Sequence, residues 1–197
     1  MKEIEILFSL KGNIKSIEQK IESFTFEGGE KFLSKGEIRI VDTYYKSVKF
    51  KDLDPDDENR LRSSFRVREK GDKCLVAHKQ DIFDGNDVWV YSNELETMVS
   101  DPAILKGILG ELHFQEFIKI DNVKKIFESS NYELVIERVA GLGDFIEIEY
   151  KSKNEFSDDE VSNIKHSIRL LINNIGIDTE GELNSGKPEL MLKKLMK

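Results

Sequence analysis

Three short stretches of the 197-residue chain alternate charged and apolar side chains. Glu3 and Glu5 alternate with Ile4 and Ile6, Arg66 and Arg68 with Phe65 and Val67, and Glu147 and Glu149 with Ile146 and Ile148. A period of two is that of a β-strand, whose successive side chains point to opposite faces. Each stretch therefore carries one purely charged face and one purely apolar face. Paired carboxylates supply hard oxygen ligands to Mg²⁺ or Mn²⁺, and such an ion bridges phosphate oxygens. Arginine forks take phosphate oxygens two at a time, and lysines add point charge. Lys79, Lys119 and Lys124 lie in strand-like segments from which they could join the same surface. Gathered on one concave wall, these groups suit a metal–polyphosphate ligand. Taken singly, each is an ordinary solvated strand charge.

The elements that must position these residues can be read along the chain. The first ten residues form a strand. Asn13 then caps a helix from about Ile14 to Phe24, with Ile14, Ile17, Ile21 and Phe24 on one stripe. Gly28-Gly29 ends that unit, and Glu37 to Tyr45 reads as the next strand. Lys51 to Arg60, acidic and holding Pro55, reads as a loop. Ser64–Glu69, Cys74–Gln80 and Asp87–Thr97 follow as strands, with hairpin signals at Gly71-Asp72 and Gly85-Asn86. Asp101-Pro102 opens a helix to about Leu112. Phe117–Ser129 and Leu134–Lys151 each read as a strand pair, the second broken near Gly141 and Gly143. Ser157 to Glu160 is a capping box that starts a helix to about Ile175. A last short helix over Lys187 to Met196 is a candidate lid.

About eight strands joined by tight turns, with three or four helices, predict an antiparallel α+β fold. With no internal repeat and no long linker, residues 1–197 are expected to form one domain. Two architectures fit the periodicity equally. One is an open sheet with a wet face. The other is a closed or nearly closed antiparallel β-barrel of about eight strands, with helices packed outside and the charged faces lining a tunnel.

Composition narrows the partners. Lys plus Arg number 30 against 38 Asp plus Glu, a net charge of -8, which disfavours nonspecific binding to nucleic acid or anionic membranes. No apolar run approaches the length of a membrane span, and the acidic start is unlike a signal peptide, so the cytoplasm is the expected compartment. The single cysteine, Cys74, excludes an internal disulfide and a cysteine zinc cage; it reads as a structural thiol. His78, His113 and His166 have no metal-pair spacing. Trp89 reads as strand packing, and Gly141-x-Gly143 as a strand bend rather than a nucleotide loop.

On these residues the chain resembles the CYTH superfamily, the triphosphate tunnel metalloenzymes, and within it class IV adenylyl cyclases. The opening Glu-x-Glu-x-Lys signature stands here as Glu3-Ile4-Glu5-Ile6-Leu7. Asp42 to Tyr45, Phe65 to Arg68, the segment ending in Lys79, and Asn93 to Pro102 match successive family elements in order. Glu137-Arg138-Val139-Ala140-Gly141-Leu142-Gly143-Asp144-Phe145-Ile146-Glu147-Ile148-Glu149 is similar to the glycine-and-glutamate motif of the cyclase branch. The resemblance implies a tunnel barrel with a Mg²⁺- or Mn²⁺-dependent triphosphate site. By position, Glu3, Glu5, Glu137, Glu147 and Glu149 correspond to its metal-side acids. Arg66, Arg68, Lys79, Lys119 and Lys124 correspond to its phosphate-binding residues, and Glu96 to a further tunnel acid.

The chain departs from the family pattern where Leu7 replaces the signature lysine, where Lys46 follows the tyrosine pair, and where Asp121 and Asn122 stand in place of common basic residues. What the resemblance implies first is conversion of ATP to cyclic AMP and pyrophosphate. The alternatives are hydrolysis of inorganic or thiamine triphosphate, and noncatalytic binding of polyphosphate or nucleotide, which the missing cations motivate. The expected partner is a nucleoside or inorganic triphosphate; a homodimer is allowed.

Overall fold

In chain order the elements of the computed structural model are β1 (Lys2–Leu10), α1 (Ile14–Ser23), β2 (Leu33–Ser47), β3 (Ser63–Lys70), β4 (Lys73–Phe83), β5 (Trp89–Val99), α2 (Pro102–Glu111), β6 (Phe114–Glu128), β7 (Tyr132–Val139), β8 (Gly143–Tyr150), α3 (Asp158–Ile175), β9 (Thr179–Leu183) and α4 (Lys187–Leu195). The structure describes residues 2–56, 60–151 and 156–196. Of the loop expected over 51–60, Lys51–Leu53 forms a 3-10 turn, and 57–59 lie outside the described residues.

The strands run β5-β4-β3-β2-β6-β7-β8-β1, each antiparallel to its neighbour, and β1 closes the ring on β5 through Lys2↔Asn93 and Glu3↔Ser92. This is a closed eight-stranded antiparallel barrel with four helices outside, so the barrel reading, not the open sheet, is the correct one. Beyond Glu3, β1 leaves β5 and pairs instead with β9, through Leu7↔Leu183 and Phe8↔Glu182. β9 was not foreseen because Thr179-Glu180-Gly181-Glu182-Leu183 shows no apolar alternation and has an interior glycine.

Alternation decides which residues meet the helices. Ile6 and Phe8 of β1, Leu134 and Ile136 of β7, and Ile146 and Ile148 of β8 point outward into one buried cluster. α1 adds Ile17 and Ile21 to it, and α3 adds Ile168, Leu171 and Ile172. α1 begins where Asn13 accepts hydrogen bonds from the Lys15 and Ser16 amides, and α3 begins at the expected Ser157/Glu160 capping box. On the far side, Leu105 and Leu109 of α2 cover Tyr45, Phe65, Val67 and Cys74. Each fully buried aliphatic or aromatic side chain in these layers contributes roughly 1.5–3 kcal/mol.

Phe117–Ser129 is not a strand pair. β6 runs unbroken from Phe114 to Glu128 and pairs with β2 from Ser47↔Phe114 to Leu33↔Glu128. No glycine or proline interrupts it, and the polar Asp121 and Asn122 have partners: Arg39 on the outside, Glu137 on the inside. The expected turn at Gly71 is real, with a φ of 62° between β3 and β4.

Candidate active site

Over much of the barrel the inward positions of the strands are charged. Glu3 and Glu5 of β1, Asp42 of β2, Arg66 and Arg68 of β3, Lys79 and Asp81 of β4, Glu94 and Glu96 of β5, Asn122 and Lys124 of β6, Glu133 of β7, and Glu147 and Glu149 of β8 line a cavity of about 590 Å³. Its size suits a nucleoside triphosphate. Ten carboxylates and five cationic side chains face it.

One end of the barrel is apolar and stoppered. Leu7, Tyr44, Ile118, Ile120, Val139 and Phe145 form a buried cluster there, against which α4 packs Leu190, Met191 and Leu192. Hydrogen bonds fasten this segment around the rim. The Trp89 amide donates to Asn184 Oδ1 at 2.6 Å, the Leu61 amide donates to Glu189 at 2.7 Å, and Lys194 donates to the Gly141 carbonyl. From α4, Lys187 reaches into the cavity. Leu7, which replaces the signature lysine, belongs to this apolar floor. The last helix, expected over Lys187 to Met196, is α4, and it packs here as a stopper.

The acids fall into two groups. Glu5 stands directly opposite Glu149, and Glu149 directly opposite Glu133, so three carboxylates occupy one row across β1, β8 and β7. Neighbouring strands lie about 4.8 Å apart, which crowds these charges. Burial first, then the facing Glu5 and Glu133, push the Glu149 carboxyl up to about 7. Burial, with Glu5 and Glu94 nearby and only Lys79 opposing, pushes Glu3 up to about 8. The second group is neutralised. Glu137 is fully buried and receives Lys124 Nζ at 2.7 Å and Lys187 Nζ at 2.8 Å. Lys187 also binds Glu147, and Lys187 and Lys124 hold the Glu147 carboxyl far below the usual range despite its burial.

The arginines are locked. Arg68 grips Asp42 with Nε at 2.7 Å and Nη2 at 2.9 Å. Burial alone would raise Asp42, but these bonds hold it at about 2. Arg66 donates Nη2 to Glu94 at 2.7 Å, yet its buried Nε has no partner among the described residues. A buried donor left unpaired costs about 1–3 kcal/mol. Lys79 Nζ lies 2.5 Å from Glu5 and 3.3 Å from Glu3.

Of the residues expected at the site, Glu3, Glu5, Arg66, Arg68, Lys79, Lys124, Glu147 and Glu149 meet at the cavity, with Glu96 exposed at its mouth and Glu137 just behind Lys124. Lys119 does not join them. It is exposed on the outer face, because Ile118, Ile120, Asn122 and Lys124 take the inward positions of β6. Lys119 and Lys124 are five residues apart, an odd number, and cannot share a face of a regular strand. Asp42, Glu94, Glu133 and Lys187 were not singled out. Asp42 and Glu94 lay inside matched segments, and Glu133 lies four residues before Glu137 and so on the same face. For Lys187 no local signal exists, since it arrives from a distant helix.

Among the described residues no three carboxylate, imidazole or thiol groups converge to hold a metal ion as placed, and the lysine ammoniums stand between the acids. The donor chemistry nevertheless fits Mg²⁺ or Mn²⁺: the available ligands are hard oxygens, most of them carboxylates, and the cavity carries a large excess of negative charge. Among the described residues no helix is long and apolar enough to cross a membrane.

Comparison with solved structures places this architecture among known ones. The PH1012 protein of Pyrococcus horikoshii OT3 is 25% identical, with a TM-score of 0.69 over 95% of this chain and 98% of its own. The PH1819 protein of the same organism is 20% identical, with a TM-score of 0.74 over 98% and 99%. A protein from Vibrio parahaemolyticus described as a candidate adenylate cyclase is 11% identical, with a TM-score of 0.71 over 96% and 97%, a likeness of fold alone. No curated protein sequence matches. The sequence pattern of the CYTH domain matches residues 1–180, and with nearly the whole chain covered, this protein belongs to the CYTH domain family.

Proposed function

We propose that the cavity binds a triphosphate together with divalent cations and converts ATP to cyclic AMP and pyrophosphate. The observation that carries this reading is the convergence of Arg66, Arg68, Lys79 and Lys124 with a surplus of carboxylates on the wall of one cavity. An anion could not enter so negative a well alone, whereas a metal–triphosphate complex is matched by it. Arg66, Arg68 and Lys124 bind and orient the phosphates. Glu3, Glu5, Glu137, Glu147 and Glu149, with Glu133 beside them, would hold Mg²⁺ or Mn²⁺, which when bound supplies Lewis-acid polarisation of phosphate oxygens. The walls hold the ribose 3′-oxygen in line with the α-phosphorus. A bond forms between them as the bond from that phosphorus to the β-bridging oxygen breaks, pyrophosphate leaves, and the hydroxyl proton passes to water.

The same charged cavity supports a second reading, hydrolysis of inorganic or thiamine triphosphate, in which water attacks a terminal phosphorus. Incubation with ATP and with tripolyphosphate in Mg²⁺ and in Mn²⁺ separates them. Cyclic nucleotide with pyrophosphate supports the cyclase; orthophosphate alone supports the hydrolase. Tight binding with neither product would leave a noncatalytic binder.

A further inference from the structure

The cations of the cavity are of two mechanical kinds. Arg68 is held by two hydrogen bonds to one carboxylate, and Arg66 is wedged between Asp42 and Glu94. Both are planar forks fixed in place. Lys79 and Lys187 are instead point charges on four-carbon stems, and each bridges two carboxylates: Lys79 joins Glu5 and Glu3, while Lys187 joins Glu137 and Glu147, a pair it shares with Lys124. These are the positions at which a divalent cation would bind, and an ammonium cannot stay between two carboxylates that have closed on a metal.

Resting on the triphosphate reading above, we propose that Lys79 and Lys187 are exchangeable internal counter-ions: each occupies a carboxylate pair until a divalent cation takes it, and each then turns to the phosphates. The exchange makes metal and triphosphate bind with positive coupling, because the metal releases two cations to the ligand that follows it. It also assigns a role to the segment that stoppers the barrel, since Lys187 is carried in by α4 and supplies the positive charge that Leu7 does not. Lys187 faces the acid opposite that very position, for Glu147 is the cross-strand partner of Leu7.

The test uses the full chain with Mn²⁺ alone, by calorimetry, and separately tripolyphosphate at saturating Mn²⁺. Lys79→Gln and Lys187→Gln are each expected to tighten Mn²⁺ binding about tenfold and to weaken tripolyphosphate binding by at least that factor, within the usual range of site-to-site coupling. A lysine that merely supported the fold would move neither in this opposed way. Mn²⁺ affinity unchanged or weaker in both variants, with melting temperature retained, overturns the exchange while leaving the triphosphate site standing. A wild-type chain that binds neither Mn²⁺ nor tripolyphosphate removes both. The unaltered chain gives an independent reading. Its only tryptophan, Trp89, lies with its ring 5.5 Å from Lys79 Nζ, so Mg²⁺ alone should change its fluorescence. Calorimetric Mg²⁺ binding with no such change would overturn the movement of Lys79.

Discussion

Glu5 and Glu149 face each other across adjacent antiparallel strands, two carboxylates in direct cross-strand register inside a closed barrel. Like charges so placed destabilise a sheet, and nothing in packing requires them. With Glu133 completing the row, they form the carboxylate wall on which the proposed metal site rests.

The crowding has a measurable consequence in pH. Glu3 and Glu149 are pushed up to about 8 and about 7, above the ordinary glutamate value of about 4.3 in the unfolded chain. Between the unfolded and folded values the native state binds more protons, so stability falls as pH rises through that window. The metal-free protein is expected to melt at a higher temperature near pH 5 than near pH 8. Saturating Mg²⁺ should flatten this dependence and release protons on binding. A melting temperature that rises steadily from pH 5 to 8 without metal would contradict it.

Asp42 works in the opposite sense. Held at about 2 by Arg68, it stabilises the fold above the ordinary aspartate range, and that contribution is lost as pH falls through about 2. Asp42→Asn leaves two buried guanidiniums short of a counter-charge and should cost about 3–5 kcal/mol. Urea unfolding at pH 7 measures it, and a loss below about 1 kcal/mol would show that the pair is not the buried anchor described here.

Arg66 separates charge from geometry. Arg66→Lys keeps one positive charge and removes the planar fork that lines the cavity. Tripolyphosphate binding should weaken by roughly ten- to a hundredfold, the value of one charge-assisted hydrogen bond of about 1.5–3 kcal/mol. Titration calorimetry in Mn²⁺ decides this, and wild-type affinity in the variant would move the phosphate site elsewhere.

Phe127 tests the outer core independently of the cavity. It is fully buried between the barrel wall and the helices, and Phe127→Ala should destabilise the protein by about 3–5 kcal/mol. Denaturant unfolding should show this with the preference among Mn²⁺-triphosphate ligands unchanged.

Much of the wall was legible from period-two alternation alone. It placed Glu3, Glu5, Arg66, Arg68, Glu147 and Glu149 on charged faces, and the same arithmetic applied to β6 and β7 excludes Lys119 and includes Glu133. The caps at Asn13 and Ser157 were equally local, since a cap is a hydrogen bond within a few residues. Helices α1, α2 and α3 were therefore visible in the chain before any coordinates.

Tertiary structure decided the rest. Alternation reads the same for a sheet facing water and for one closed on itself; only the pairing of Glu3 with Ser92 turned the charged faces toward each other. β9 and Lys187 depended on contacts made far along the chain, for which no local pattern exists. Local periodicity determines which way a side chain points, because it is a property of one strand. Which opposing charge it meets is a property of closure, and that is settled only when distant strands and the last helix come together.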